Sequence, residues 1–187
     1  MFAASYKADA VSTLQIMRKL AYSPPALLAY GAGYEDPGYV AATEAGRPEC
    51  GLPAPNPYGV ITRVAWSPDV EGQRAIARKV AALFKRRYGT EMTSKSARGF
   101  TAMLALAQAI DDPGSTDPAK IQAALRQLDV TASQTIMPWA GIRFDRYGQN
   151  TRAQVVLEQK TPRGDIVVYP KAFAKGQAIW PHKRAQR

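Results

Sequence analysis

Cysteine and histidine are almost missing from this 187-residue chain, which has one of each, Cys50 and His182. A lone thiol closes no internal disulfide and builds no cysteine-based zinc site; a lone imidazole has no second one to join as base or metal ligand. Nucleophilic catalysis loses its usual participants, and no metal is expected. Long apolar runs are missing too. The longest uncharged stretch, Leu20–Tyr34, is 15 residues broken by Pro24, Pro25, Gly31 and Gly33, against the roughly 20 apolar residues of a membrane-spanning helix. No basic segment precedes a long apolar run at the amino terminus, so the sequence as written carries no secretory signal. Paired carboxylates converging on a substrate are absent: Glu35–Asp36 and Asp111–Asp112 are sequence neighbours whose side chains point apart, and they read as caps or solvated acids. Gly31-Ala32-Gly33 fails as a dinucleotide fingerprint because Asp36 stands where its third glycine belongs, and no phosphate loop occurs. Nothing argues for an enzyme, and no cofactor is expected.

What is abundant is positive charge, with 25 Lys+Arg against 15 Asp+Glu for a net +10, in a chain of ordinary apolar content at 46%. The excess is local. Residues 71–99 hold a net +6, residues 171–187 hold five cations and no acid, and the remainder sums to −1. Phosphate-backbone binding by the 71–99 segment is one reading. The other is a solvated helix face, because Ile76, Val80, Leu83, Phe84 and Tyr88 recur at helical spacing with cations between them. Zinc-finger spacing, an aromatic RNA-binding signature and a basic region with heptads are all missing, which favours the solvated face.

The apolar pattern predicts a helix over 8–21, a short buried strand over 26–30, a short helix opened by Asp36-Pro37 and running to about Glu44, and a strand over 59–66. This is the grammar of a parallel α/β sheet. A proline-rich loop over 46–58 separates the last two elements. Three helices follow, over 71–88, about 95–110 and 118–128, the last opened by Asp117-Pro118. Beyond Asp129, apolar runs alternate with turn clusters, predicting antiparallel strands, and the tail from Pro170 has no persistent period.

The order of short motifs resembles the type I periplasmic binding proteins, in the branched-chain amino acid receptor branch that feeds ABC importers. The resemblance is carried by Phe2-Ala3-Ala4-Ser5-Tyr6, Gly31-Ala32-Gly33-Tyr34 with Asp36-Pro37, Ala65-Trp66-Ser67-Pro68-Asp69, Tyr88-Gly89, Gly99-Phe100-Thr101-Ala102, the 112–118 turn and Gly141-Ile142-Arg143-Phe144-Asp145 with Gly148-Gln149-Asn150. It implies part of a two-lobe α/β fold: a second-lobe segment over 1–69, first-lobe helices over 70–130, returning strands over 131–170 and a basic tail over 171–187. Members run to roughly twice this length, so a truncated chain lacking most of lobe one is expected, with bare helices exposing an apolar face open to self-association. The implied activity is solute binding by hinge closure without catalysis, in the periplasm, with ABC permease subunits as partners and no nucleic acid. Tyr6, Tyr30, Gly31, Ala32 and Lys95 are the ligand-binding residues implied. No acid precedes Glu35 where receptors of this kind present a carboxylate to the ligand's ammonium, which puts a carboxylic or aromatic acid beside an amino acid as the expected solute. A cytoplasmic ligand-sensing regulator of the same fold is the alternative, ahead of the nucleic-acid reading.

Overall fold

The computed structural model describes residues 1–46 and 55–181 and divides into two compact units, Met1–Val64 with the chain from Leu157 onward, and Ala65–Val156. Cys50 and most of the proline-rich loop, together with His182 and the last cations of the tail, lie outside the described residues.

The first unit is built on a sheet of order β1-β2-β3-β6-β7. Strands β1 (Phe2–Ala4), β2 (Leu28–Tyr30) and β3 (Ile61–Val64) run parallel, with Phe2 opposite Leu28 and Leu28 opposite Ile61. Strands β6 (Val156–Gln159) and β7 (Ile166–Tyr169) form an antiparallel hairpin. Helix α1 (Lys7–Lys19) buries Ala10, Val11 and Leu14 against Leu27, Ala29, Val60, Tyr34 and Tyr39. That stripe is the spacing that predicted the helix. Helix α2 (Tyr39–Ala45) begins later than Asp36-Pro37 suggested: the Asp36 carboxylate accepts from the Gly38 amide at 2.9 Å, turning the chain just ahead of the helix.

Strand β2 departs from expectation. Ala26, Leu27 and Ala29 are buried as predicted, but Leu28 and Tyr30 are 42% and 47% exposed, on the sheet face that also carries the 69%-exposed Phe2. The run is buried on one side only, because α1 and its neighbours cover only the face that carries Ala3 and Ala29. The aperiodic tail is also tied down. The Gln159 amide donates to the carbonyls of Gly59 and Ile179 at 3.1 Å each and accepts from the Ile179 amide at 2.8 Å.

The second unit holds α3 (Pro68–Glu71), α4 (Ala75–Tyr88), α5 (Ser94–Asp111), α6 (Pro118–Gln127) and the antiparallel pair β4 (Asp129–Thr131) and β5 (Gly141–Arg143). The single helix expected over 71–88 is split, since Arg74 is extended at φ −131° and ψ 121° and α4 starts after it. Thr93 and Ser96 close a reciprocal capping box on α5, and the Asp117 carboxylate accepts from the amides of Ala119 and Lys120 at 3.0 Å. Ala65, Trp66, Ala77, Met92, Ala97, Ile136 and Met137 form one core, and Ala105, Leu128, Val130 and Ile142 another. On the helices Leu83, Tyr88 and Met103 are exposed, and α6 buries no residue. Several block cations already have work: Arg74 and Arg78 donate to backbone carbonyls, and Lys85 pairs with Glu91.

Arg152 grips both oxygens of Asp129, at 2.5 and 3.1 Å, with Arg143 3.6 Å away. The Arg152 hydrogen bonds first, then the two positive charges, hold the Asp129 carboxyl below its ordinary value of 3.8. A carboxyl depressed by folding contributes stability above that ordinary value and loses the contribution as the pH falls through its lower folded value. Asp129→Asn is therefore expected to lower the urea midpoint at neutral pH, and the gap from wild type should close as urea titrations are repeated from about pH 7 down to about pH 2.

Candidate functional site

In an open parallel sheet, ligands collect beyond the carboxyl ends of the strands. Here Tyr6 directly follows β1 and precedes α1, while Tyr30, Gly31 and Ala32 end β2 and open its loop. The two strand ends are drawn together by backbone. The Ser5 amide donates to Tyr30 at 3.1 Å, the Gly33 amide donates to the Ser5 carbonyl at 3.2 Å, and the Ser5 hydroxyl reaches the Tyr34 oxygen at 3.2 Å. Glycine is required for this approach. Gly31 sits at φ +104°, and a Cβ at Gly33 would lie 2.4 Å from the Tyr6 carbonyl carbon. The glycines that resembled half of a dinucleotide fingerprint thus close the loop onto β1.

Beneath this loop Tyr34 and Tyr39 are fully buried, with ring centroids 5.3 Å apart. Burial, and then the neighbouring Tyr34, push the Tyr39 phenol up and keep it neutral. At the start of α1, Lys7 pairs with Asp36 at 3.1 Å.

A cavity of about 730 Å³ opens at this end of the sheet and continues along the outer edge of β1, and every residue lining it belongs to the first unit. It brings together Tyr6, Tyr30, Gly31 and Ala32, four of the five residues that the sequence nominated. Tyr6 is 76% exposed, and Tyr30 carries the Arg63 guanidinium over its ring at 5.4 Å from the centroid. Lys95, the fifth, is exposed on the first turn of α5 in the second unit. Sequence reasoning missed Asp9 and Thr13, which also line the cavity. Their signal was present: Tyr6, Asp9 and Thr13 follow one another at spacings of three and four and so share one flank of α1. Among the described residues no group of three or more histidine, cysteine or carboxylate side chains stands together.

Residues 1–163 match the periplasmic binding protein family. Leu/Ile/Val-binding protein homolog 7 of Brucella suis biovar 1 and of Brucella abortus strain 2308 are each 26% identical to this chain over 179 residues, covering 95% of it and 42% of the relative. A leucine binding protein from Thermotoga maritima superposes with a TM-score of 0.68 at 19% identity, over 89% of this chain and 42% of that one. An ABC transporter substrate-binding protein from Desulfitobacterium hafniense in complex with Leu superposes at 0.62, with 20% identity and the same coverage. The chain thus spans less than half the length of the relatives it matches, and its mixed sheet and helices correspond to part of their two-lobe fold. By the family match over residues 1–163, and by a fold shared in part with the branched-chain amino acid branch of type I receptors, this chain belongs to the periplasmic binding protein family.

Proposed function

We propose that this chain supplies one wall of the solute site in the binding component of an ABC importer, acting in the periplasm and delivering its solute to the membrane permease without catalysis. The observation that carries the reading is the convergence of Tyr6, Tyr30, Gly31 and Ala32 on one cavity at the carboxyl ends of two parallel strands. Two exposed tyrosine rings and a glycine-containing loop suit a small solute with an apolar body. The rest of a two-lobe fold would form the facing wall, and hinge closure would bury the solute.

The test is a thermal-shift series on this chain against leucine, isoleucine, valine and small aliphatic and aromatic acids. A solute at a hundredfold excess over its dissociation constant stabilises by about 2.7 kcal/mol, which for a chain of this size raises the midpoint by roughly 5–10 °C. Tyr6→Ala and Tyr30→Ala should each weaken the responding solute by about tenfold or more. A midpoint unmoved by every one of these solutes would refute the reading.

A further inference from the structure

We propose that the outer edge of β1, with the flank of α1 beside it, docks a second copy of this chain about a two-fold axis at Ala3, so that the two sheets become one. The proposal is independent of the solute-binding reading. Among the described residues β1 ends the sheet. Its groups that face inward are spent on β2: the Leu28 amide donates to the Met1 carbonyl at 2.9 Å, and the Ser5 amide donates to the Tyr30 carbonyl at 3.1 Å. Backbone groups alternate in direction along a strand, so the amides and carbonyls of Phe2 and Ala4 face outward. The opposite edge of the sheet is guarded, because the Lys175 amide donates to the Val167 carbonyl at 2.9 Å and lays the tail beside β7. Phe2-Ala3-Ala4 has no charge, proline or bulge, the usual devices that keep a strand edge from pairing.

Helix α1 extends this surface. Tyr6, Asp9, Thr13, Ile16 and Leu20 recur at spacings of three and four and so share one flank, and the first three of them line the cavity that follows the β1 edge. Ile16 and Leu20 are 54% and 69% exposed. With Phe2 and Tyr6 they would remove roughly 500 Å² per copy from water, and the groove between strand and helix brings this towards the about 800 Å² per partner of a stable interface.

A second copy is the occupant because the surface is its own complement. A strand rises about 3.3 Å per residue and a helix about 1.5 Å, so α1, running back from Tyr6, returns to the level of Ala3 at Thr13. A two-fold axis at Ala3 therefore passes Thr13 as well. Phe2 of each copy then pairs with Ala4 of the other, exchanging the outward amides and carbonyls and setting a large side chain against a small one. The two α1 helices run antiparallel, which puts the first turn, with Asp9, beside the other copy's last turn, with Arg18 and Lys19. Charges and helix dipoles are both opposed. The basic excess that would hold two copies apart stands elsewhere, in residues 71–99 and 171–187.

Sedimentation of the 187-residue chain between about 1 and 100 μM should show one copy passing to two. Phe2→Lys sets a cation on the strand edge and should weaken this self-association by about tenfold or more. Because Phe2 is exposed, the variant should melt with wild type at the dilute end, where neither pairs. Met103→Lys, on an exposed position of α5, should dimerise as wild type does. In a Cys50→Ser background, Ala3→Cys should cross-link to itself under mild oxidation, since residues opposed across such a two-fold stand about 4.5 Å apart at Cα, within disulfide reach; Met103→Cys should not. A single copy throughout that concentration range would overturn the proposal. A dimer weakened by Met103→Lys and not by Phe2→Lys would overturn it too, moving the contact to the helices of the second unit, and a mass that rises past two copies would exclude the two-fold.

Discussion

Gly33→Ala is expected to destabilise the first unit by about 3 kcal/mol or more. A Cβ on Gly33 would fall 2.4 Å from the Tyr6 carbonyl carbon, and 2.6 Å from both the Tyr6 oxygen and the Lys7 nitrogen. All three are backbone atoms at the junction of β1 and α1, so no side-chain rotation relieves the overlap. The loop must back away from β1, which stretches the 3.2 Å hydrogen bond from Gly33 to Ser5 and separates Tyr6 from Tyr30 and Ala32. Two readouts should therefore fall together, the urea midpoint of the first unit and the affinity for whatever solute stabilises wild type. Gly99→Ala is the control. Its added methyl meets nothing within 4 Å on the exposed side of α5, and removing a mid-helix glycine should stabilise by up to about 1 kcal/mol. If Gly33→Ala melts with wild type, the close approach of the loop is not what holds the two strand ends together.

The elements that were legible in the sequence were those whose signal is local. Val11 and Leu14 on α1, and Asp117-Pro118 ahead of α6, carry their own periodicity or cap, and the structure places those helices within one or two residues of expectation. What was illegible depends on partners distant in the chain. Leu28 and Tyr30 read as buried because their neighbours are apolar; burial depends on whether a second layer covers that face. The break before α4 was hidden for the same reason, since Arg74 leaves the helix to reach carbonyls about sixty residues later. The aperiodic tail gave no hint that Gln159 would hold Ile179. At the site, the strand ends were readable from motif order, which led to Tyr6, Tyr30, Gly31 and Ala32. Asp9 and Thr13 line the same cavity from the first turns of α1, away from the strand ends that carry the motifs.

Arg74→Ala should destabilise the second unit by about 3 kcal/mol, an effect out of proportion to removing one cation from a basic block. The guanidinium donates to the carbonyls of Ala132 and Thr135 with one nitrogen and to that of Trp139 at 2.9 Å with the other. These carbonyls belong to the crossing from β4 to β5, whose Ile136 and Met137 are 1% and 0% exposed in the core that also holds Trp66 and Ala77. Burial lowers the Arg74 pKa from its usual value, yet guanidinium stays charged at any physiological pH. Alanine would leave several acceptors facing an emptied space, which costs more than the hydrogen bonds were worth. Arg74→Lys should recover only part of the loss, because one ammonium cannot span the planar fork's acceptors. Arg78→Ala, which removes one exposed contact to the Gly72 carbonyl, should cost under about 1 kcal/mol. The diagnostic measurement is amide exchange, in which Arg74→Ala should speed exchange across 132–139 while α6 keeps its protection. Equal melting of Arg74→Ala and Arg78→Ala would return Arg74 to the solvated surface and reopen the phosphate-binding reading of the basic block.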